Sequence, residues 1–197
     1  MGSDRGQTLP IYIWMTGVLL FVAFAFFAFA QGASARNGAQ SAADAAALAA
    51  AQDARDELVE GLGASIGEGD DWIDWLDGDK FTGVGARGAA DALAADNESS
   101  VEGFGPDEVN GYPGFWVRIE TTYTVGDSII PGTESMHAQA QATAIIKPRC
   151  DVSPSIDPEK IIEFDCDGGD SFEIDPDDFD LDDLPDASAL FSVHLAD

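Results

Sequence analysis

The chain is poor in bases: nine Lys and Arg stand against 37 Asp and Glu, for a formal net charge of −28. A surface so charged repels phosphate backbones and anionic headgroups, which excludes nucleic acid as a partner and disfavours a membrane-surface role for the soluble part. Histidine is almost missing. His137 and His194 are the only two, neither beside a cysteine or a recognisable serine elbow, so no nucleophile constellation stands out. Cysteine is limited to Cys150 and Cys166, whose spacing is far from Cys-x-x-C, and thiol redox catalysis falls with it. No Walker A or dinucleotide loop occurs; Gly83-Val84-Gly85-Ala86-Arg87-Gly88 matches a phosphate loop in glycine count alone. These absences leave no catalytic residue to name, no cofactor and no enzyme.

Only one long apolar run is present. Residues 9–30 carry no charge, and at ~1.5 Å per helical residue they span about 33 Å, enough for a hydrocarbon core of roughly 30 Å. A membrane-spanning helix over residues 9–31 is expected, with Pro10 in its first turn, where a missing N–H costs nothing. Strong helix formers without proline continue to Glu60, so one helix should run from about residue 10 to 60, its soluble extension covering residues 32–62. Arg36, Gln40, Asp44, Ala51 and Arg55 follow helical spacing on one side, while Ala39, Ala43, Ala46, Ala47, Ala50, Ala54 and Leu58 make a small-residue stripe. That stripe permits close approach, either by a strand of the same domain or by a neighbouring helix in an assembly.

Residues 1–52 hold only Asp4 and Asp44 as acids against Arg5 and Arg36, so the acidity belongs to residues 53–197. The inner flank offers little orientation signal. Two cysteines 16 apart in a loop-rich region read as a disulfide outside the cytosol, the alternative being two unpaired buried thiols. The disulfide places residues 1–8 inside as a leader and the domain outside.

Gly61, Gly63, Gly67 and Gly69 should end the long helix, and residues 70–77 read as a short amphipathic helix with Trp72, Trp75 and Leu76 on one side. Residues 115–125 alternate as a strand, with Phe115, Val117, Ile119, Thr121, Tyr123 and Val125 on one face. After a turn at Pro131-Gly132, Met136, Ala138, Ala140, Ala142, Ala144 and Ile146 form the small face of a second strand, suited to an alanine-rich helix laid on it. Short strands are expected at residues 161–164 and 172–174. The reading is an α+β fold: a long N-terminal helix continuing into a soluble helix packed on a small antiparallel sheet. Its domain occupies residues 63–164, an acidic, mostly extended surface segment residues 165–186, and a C-terminal docking segment residues 187–197. Asp151-Val152-Ser153-Pro154-Ser155 resembles the metal-binding string of von Willebrand A-type domains, but only 42 residues follow it, too few for their doubly wound sheet. Asp165-Cys166-Asp167-Gly168-Gly169-Asp170 opens like a calcium loop and then puts Pro176 where an EF-hand needs glutamate. Neither names a metal ligand, and a loose calcium site in the acidic segment is left open.

Asp4-Arg5-Gly6-Gln7-Thr8-Leu9-Pro10 looks like a prepilin leader, in which cleavage before the apolar run would start the mature chain at Gln7 and keep the helix. With Ala42-Ala43-Asp44-Ala45-Ala46-Ala47-Leu48-Ala49 downstream, the first 60 residues or so resemble the TadE/TadG-like proteins of Tad (Flp) pilus assembly. The resemblance implies that the α+β fold is pilin-like and that the chain is a membrane-held minor pilin or pseudopilin of actinobacterial type, acting in pilus assembly and adhesion. It implies a prepilin-type peptidase as processing partner at Gly6 and Gln7, other pilus-assembly or pilin subunits as further partners, and Ala39, Ala43, Asp44, Ala46, Ala47 and Ala50 on the assembly helix. Pilins of this class commonly carry glutamate at the fifth mature position. Here that position is Ile11, which favours an accessory role over regular filament incorporation. The competing reading is an anchored or secreted binding module for calcium, cell-wall polymer or a protein, since Ala28-Phe29-Ala30 offers an ordinary signal-peptidase site.

Overall fold

The computed structural model describes residues 8–67, 69, 71–78, 80, 82–127, 131–152 and 161–196. Helix α1, Thr8–Ser65, is continuous through the apolar run and the alanine-rich stretch, as expected from unbroken helix formers. It does not stop at Gly61 or Gly63. Those two glycines lie inside α1 because a Cβ on Gly61 would enter the indole of Trp75, and one on Gly63 would meet Leu181 and Leu184. The turn out of the helix is made by Gly67 and Gly69, both at positive φ, a conformation that glycine adopts without penalty.

Helix α2, Asp71–Leu76, buries Trp72 and Leu76, and the Trp72 ring lies tilted against Phe164 at 5.8 Å. Helix α3, Ala86–Asp96, and strand β1, Ser99–Val109, occupy a stretch for which the sequence reading offers no element. Ala86, Ala90 and Ala94 recur every four residues and are buried, with α3 packed along α1. Strand β1 carries Gly103, Gly105 and Pro106, which break the usual alternation. The glycines have a packing reason: the indole of Trp116 in β2, Tyr112–Thr124, lies over Gly103 and Gly105 on the neighbouring strand.

Strand β3, His137–Pro148, continues the antiparallel sheet, and β7, Phe191–Leu195, closes it in the order β1-β2-β3-β7. Phe115, Val117, Ile119 and Thr121 are buried on the face that β2 turns toward the helices. On β3, Ala138, Ala140, Ala142 and Ala144 join the same core as Ala39, Ala43, Ala46, Ala47, Ala50 and Ala54 of α1. The small-faced strand thus receives the small-faced helix, and the fold is the α+β arrangement read from the alternation.

A second sheet, order β4-β5-β6, comprises Cys150–Val152, Ile162–Cys166 and Asp170–Ile174. Ile162, Phe164 and Ile174 feed its inner side into the common core with Trp72. The acidic stretch from Asp165 lies mostly at the surface but is less extended than its composition implies. It finishes β5, forms β6, and makes 3-10 turns at Pro176–Asp178 and Leu181–Asp183, where the carboxylates of Asp175 and Asp180 accept the N–H groups of Asp177 and Asp182. Local capping by Asp side chains explains why so acidic a segment folds back on itself. Helix α4, Ala187–Leu190, then drops Leu190 and Phe191 into the core and leads into β7.

Candidate functional site

Helix α1 changes surroundings along its length. From Leu9 to Phe29 it presents large apolar side chains, with Trp14 73% and Phe29 76% exposed, whereas from Ala35 onward one side is buried against the domain. Aromatic and aliphatic surface of that extent is unfavourable in water and marks a contact with a membrane or with other protein. By length and composition this is the one helix among the described residues able to cross a membrane. Ile11 sits in that exposed part. Gly6 and Gln7 lie outside the described residues.

The expected assembly alanines are placed in the domain's own interior. Ala39, Ala43, Ala46, Ala47 and Ala50 are fully buried, and Ala51, expected on the polar side, is buried with them. Asp44 is half-buried at the flank, where Gln40 Nε2 donates to its Oδ1 at 2.8 Å. The alanine stripe is therefore covered within its own chain, where α1 packs on the sheet and on α3.

Lower on α1, Glu57 fastens the helix to the turn before α3. Its Oε1 accepts the N–H and hydroxyl of Thr82 at 2.9 and 2.8 Å, and its Oε2 accepts the N–H of Gly83 at 2.9 Å. Burial would raise its pKa, but the bonds from Thr82 and Gly83 outweigh it and hold the carboxyl below its ordinary value. The glycine-rich stretch 83–88 thus serves as an entry turn into α3. Near α2, the Lys80 ammonium reaches Asp71 and Asp74 at 3.1 and 3.4 Å, and these carboxylates raise its pKa.

Cys150 and Cys166 face each other in register across β4 and β5 and form a disulfide. It holds the short β4 strand onto the hairpin. Of the D-x-S-x-S string, Asp151 lies in β4 and the two serines lie outside the described residues. Asp167, Gly168 and Gly169 form the tight turn between β5 and β6, with Gly168 and Gly169 at positive φ. Among the described residues no group of three or more His, Cys, Asp or Glu is arranged to hold a metal ion.

Residues 6–53 match the Flp pilus-assembly TadE/G-like family. No curated protein and no solved structure matches the chain. The TadE/G-like segment is about a quarter of the sequence, and it begins at Gly6, the residue before the expected cut. It covers the whole exposed apolar part of α1 and ends at Asp53, among the buried alanines. The sheets, the disulfide and the acidic turns lie beyond it, so the TadE/G-like signature resides in the helix. Two local features had no sequence signal strong enough to find: the Glu57 clamp, whose partners lie 25 and 26 residues away, and the seat of Trp75 on Gly61.

Proposed function

We propose that the chain is a non-enzymatic, single-pass component of Tad/Flp-type pilus or secretion-system assembly. Residues 1–8 form a cytoplasmic leader, residues 9–31 span the membrane, residues 32–62 carry the helix outward, and the acidic, disulfide-closed domain stands outside. A prepilin-type peptidase cuts between Gly6 and Gln7, and the protein stays in the membrane as a pseudopilin-like accessory, working with other pilus subunits. The observation that carries this reading is the TadE/G-like match at residues 6–53, laid on one unbroken helix that is apolar and exposed before Gln31 and buried in its own domain beyond Ala35. A disulfide between Cys150 and Cys166 supports the outward orientation, since such bonds persist in oxidising compartments. Ile11 at the fifth mature position supports the accessory role over regular filament packing.

The test is removal of the gene from its own host. Loss or strong reduction of surface pili, restored by the full chain supplied in trans, is the expected result. Normal piliation and adhesion without the protein would remove the pilus reading and leave an anchored binding module.

A further inference from the structure

The strand ladder ends unevenly on one side. Strand β7 pairs with β3 only from Ala144↔Leu195 to Pro148↔Phe191, and the last bond beyond it runs from the Ala196 N–H to the Thr143 carbonyl at 2.9 Å. Backbone groups alternate sides along a strand, so the groups of Gln139 and Gln141 point the same way as those of Thr143, away from β2. Among the described residues no strand meets them there.

Sheet edges left open are ordinarily blunted by charge, proline or a bulge. The other edges are guarded in one of these ways or are short: β1 carries Glu102, Pro106, Asp107 and Glu108 with a register shift at Val101/Gly103, β4 carries Asp151, β6 carries Asp170 and Glu173, and β7 is uncharged but only five residues long. The open half of β3 has neither charge nor proline, and the register shift beside it, at Glu120/Thr124, lies on the β2 side. No Asp, Glu, Lys or Arg occurs from Ser135 to Ile146 in a chain of net charge −28. Beside this bare edge lies a cavity of about 440 Å³, lined by Gln40 and Asp44 of α1, Gln141 and Thr143 of β3, Val109, and Leu195 at the end of β7.

We infer that the open half of the β3 edge is a docking slot for an extended, base-carrying segment of another protein chain, which joins the sheet as a strand beside His137–Ala142. Backbone pairing holds the segment, and lysine or arginine side chains answer Asp44 and the negative field of the domain. A second copy related by a two-fold axis is a poor occupant. Gly126 lies by Gln31, Tyr123 against Gly38, and Phe115 by Gly83, which bonds Glu57, so β2 runs against α1 and β3 runs with it. Antiparallel pairing of two β3 edges would point the two α1 helices in opposite directions, which two copies held in one membrane the same way up do not allow. The inference does not rest on the pilus reading.

The test is amide hydrogen exchange on the full-length protein in nanodiscs, with the synthetic peptide Thr-Lys-Val-Lys-Thr-Val-Lys as probe at millimolar concentration. The expected result is a tenfold or greater slowing at Gln139 and Gln141, with Ala140 unchanged because its N–H already faces β2. The substitution Gln141→Pro takes away an outward N–H and no bond to β2; it should abolish the slowing at Gln139 while the amides of Ala140 and Ala142 keep their protection. No slowing with the basic peptide would overturn the proposal, as would slowing that survives Gln141→Pro. Equal slowing by Thr-Glu-Val-Glu-Thr-Val-Glu would overturn the basic character of the partner. Protection that grows with protein concentration and no peptide would give the edge to a second copy and overturn the assignment.

Discussion

Replacing Ala47 by leucine tests whether the alanine stripe belongs to the domain's own core. Ala47 is 0% exposed, and the core facing α1 includes Ala138, Ala140, Ala142 and Ala144 of β3, so short side chains set the spacing on both sides. Leucine adds three carbons to a site without room for them. Its helix propensity is within a few tenths of a kcal/mol of alanine's, so the backbone term is small. Overpacking of this kind costs about 1–3 kcal/mol. For a domain of this size each kcal/mol moves the melting point by roughly 2–4 °C, so a drop of about 2–12 °C is expected. Circular dichroism of the full chain in nanodiscs reads it, with Gln52→Leu on the exposed side of the same helix as control. The control should stay within about 0.5 kcal/mol of the parent. If both variants melted with the parent, the stripe would not be filled by its own sheet and the packing argument would fail.

Three further outcomes are expected. Cys150→Ser, or reduction of the parent, should cost on the order of 3 kcal/mol for a loop of this size, read as a lower urea midpoint; equal midpoints with and without reductant would show that the bond closes nothing of consequence. Glu57 has a folded pKa below its unfolded one, so its contribution is complete above the unfolded value, near 4.5, and is lost as pH falls through the folded value. Glu57→Gln should therefore lower stability by about 1 kcal/mol at pH 7 and flatten part of the acid limb of a pH titration of the urea midpoint, whereas an unchanged acid limb would exclude the clamp. Gly61→Ala drives a methyl into the Trp75 ring and should destabilise by about 1–3 kcal/mol, with altered tryptophan fluorescence; a neutral result would mean that the ring moves freely.

The elements legible in the sequence are those whose period is uninterrupted. Helix α1 runs through helix formers without proline, and β2 and β3 alternate over most of their length, so their inward faces could be named from spacing alone. The elements that escaped are those in which glycine and alanine replace large apolar residues. Helix α3 buries only alanines on its inner side, and β1 gives up side chains at Gly103 and Gly105 to make room for Trp116. Gly61 and Gly63 read as a helix end because glycine is the usual C-terminal signal, whereas here they admit Trp75 and leucine side chains from the far end of the chain. The acidic segment read as extended because charge opposes burial. Its Asp-capped turns depend on local side-chain bonds that net charge does not reveal. The bare edge of β3 had no signal of its own, because it results from where β7 stops.

The pilus reading turns most directly on the N-terminus of the protein taken from its native envelope, measured by intact mass and terminal sequencing. A mature chain beginning at Gln7 is expected, with α1 retained as the anchor. A start at Gln31 or near Ala35 would mean that the apolar helix is removed and the domain released, and an uncut start at Met1 or Gly2 would leave an unprocessed anchor; either would contradict prepilin-type processing.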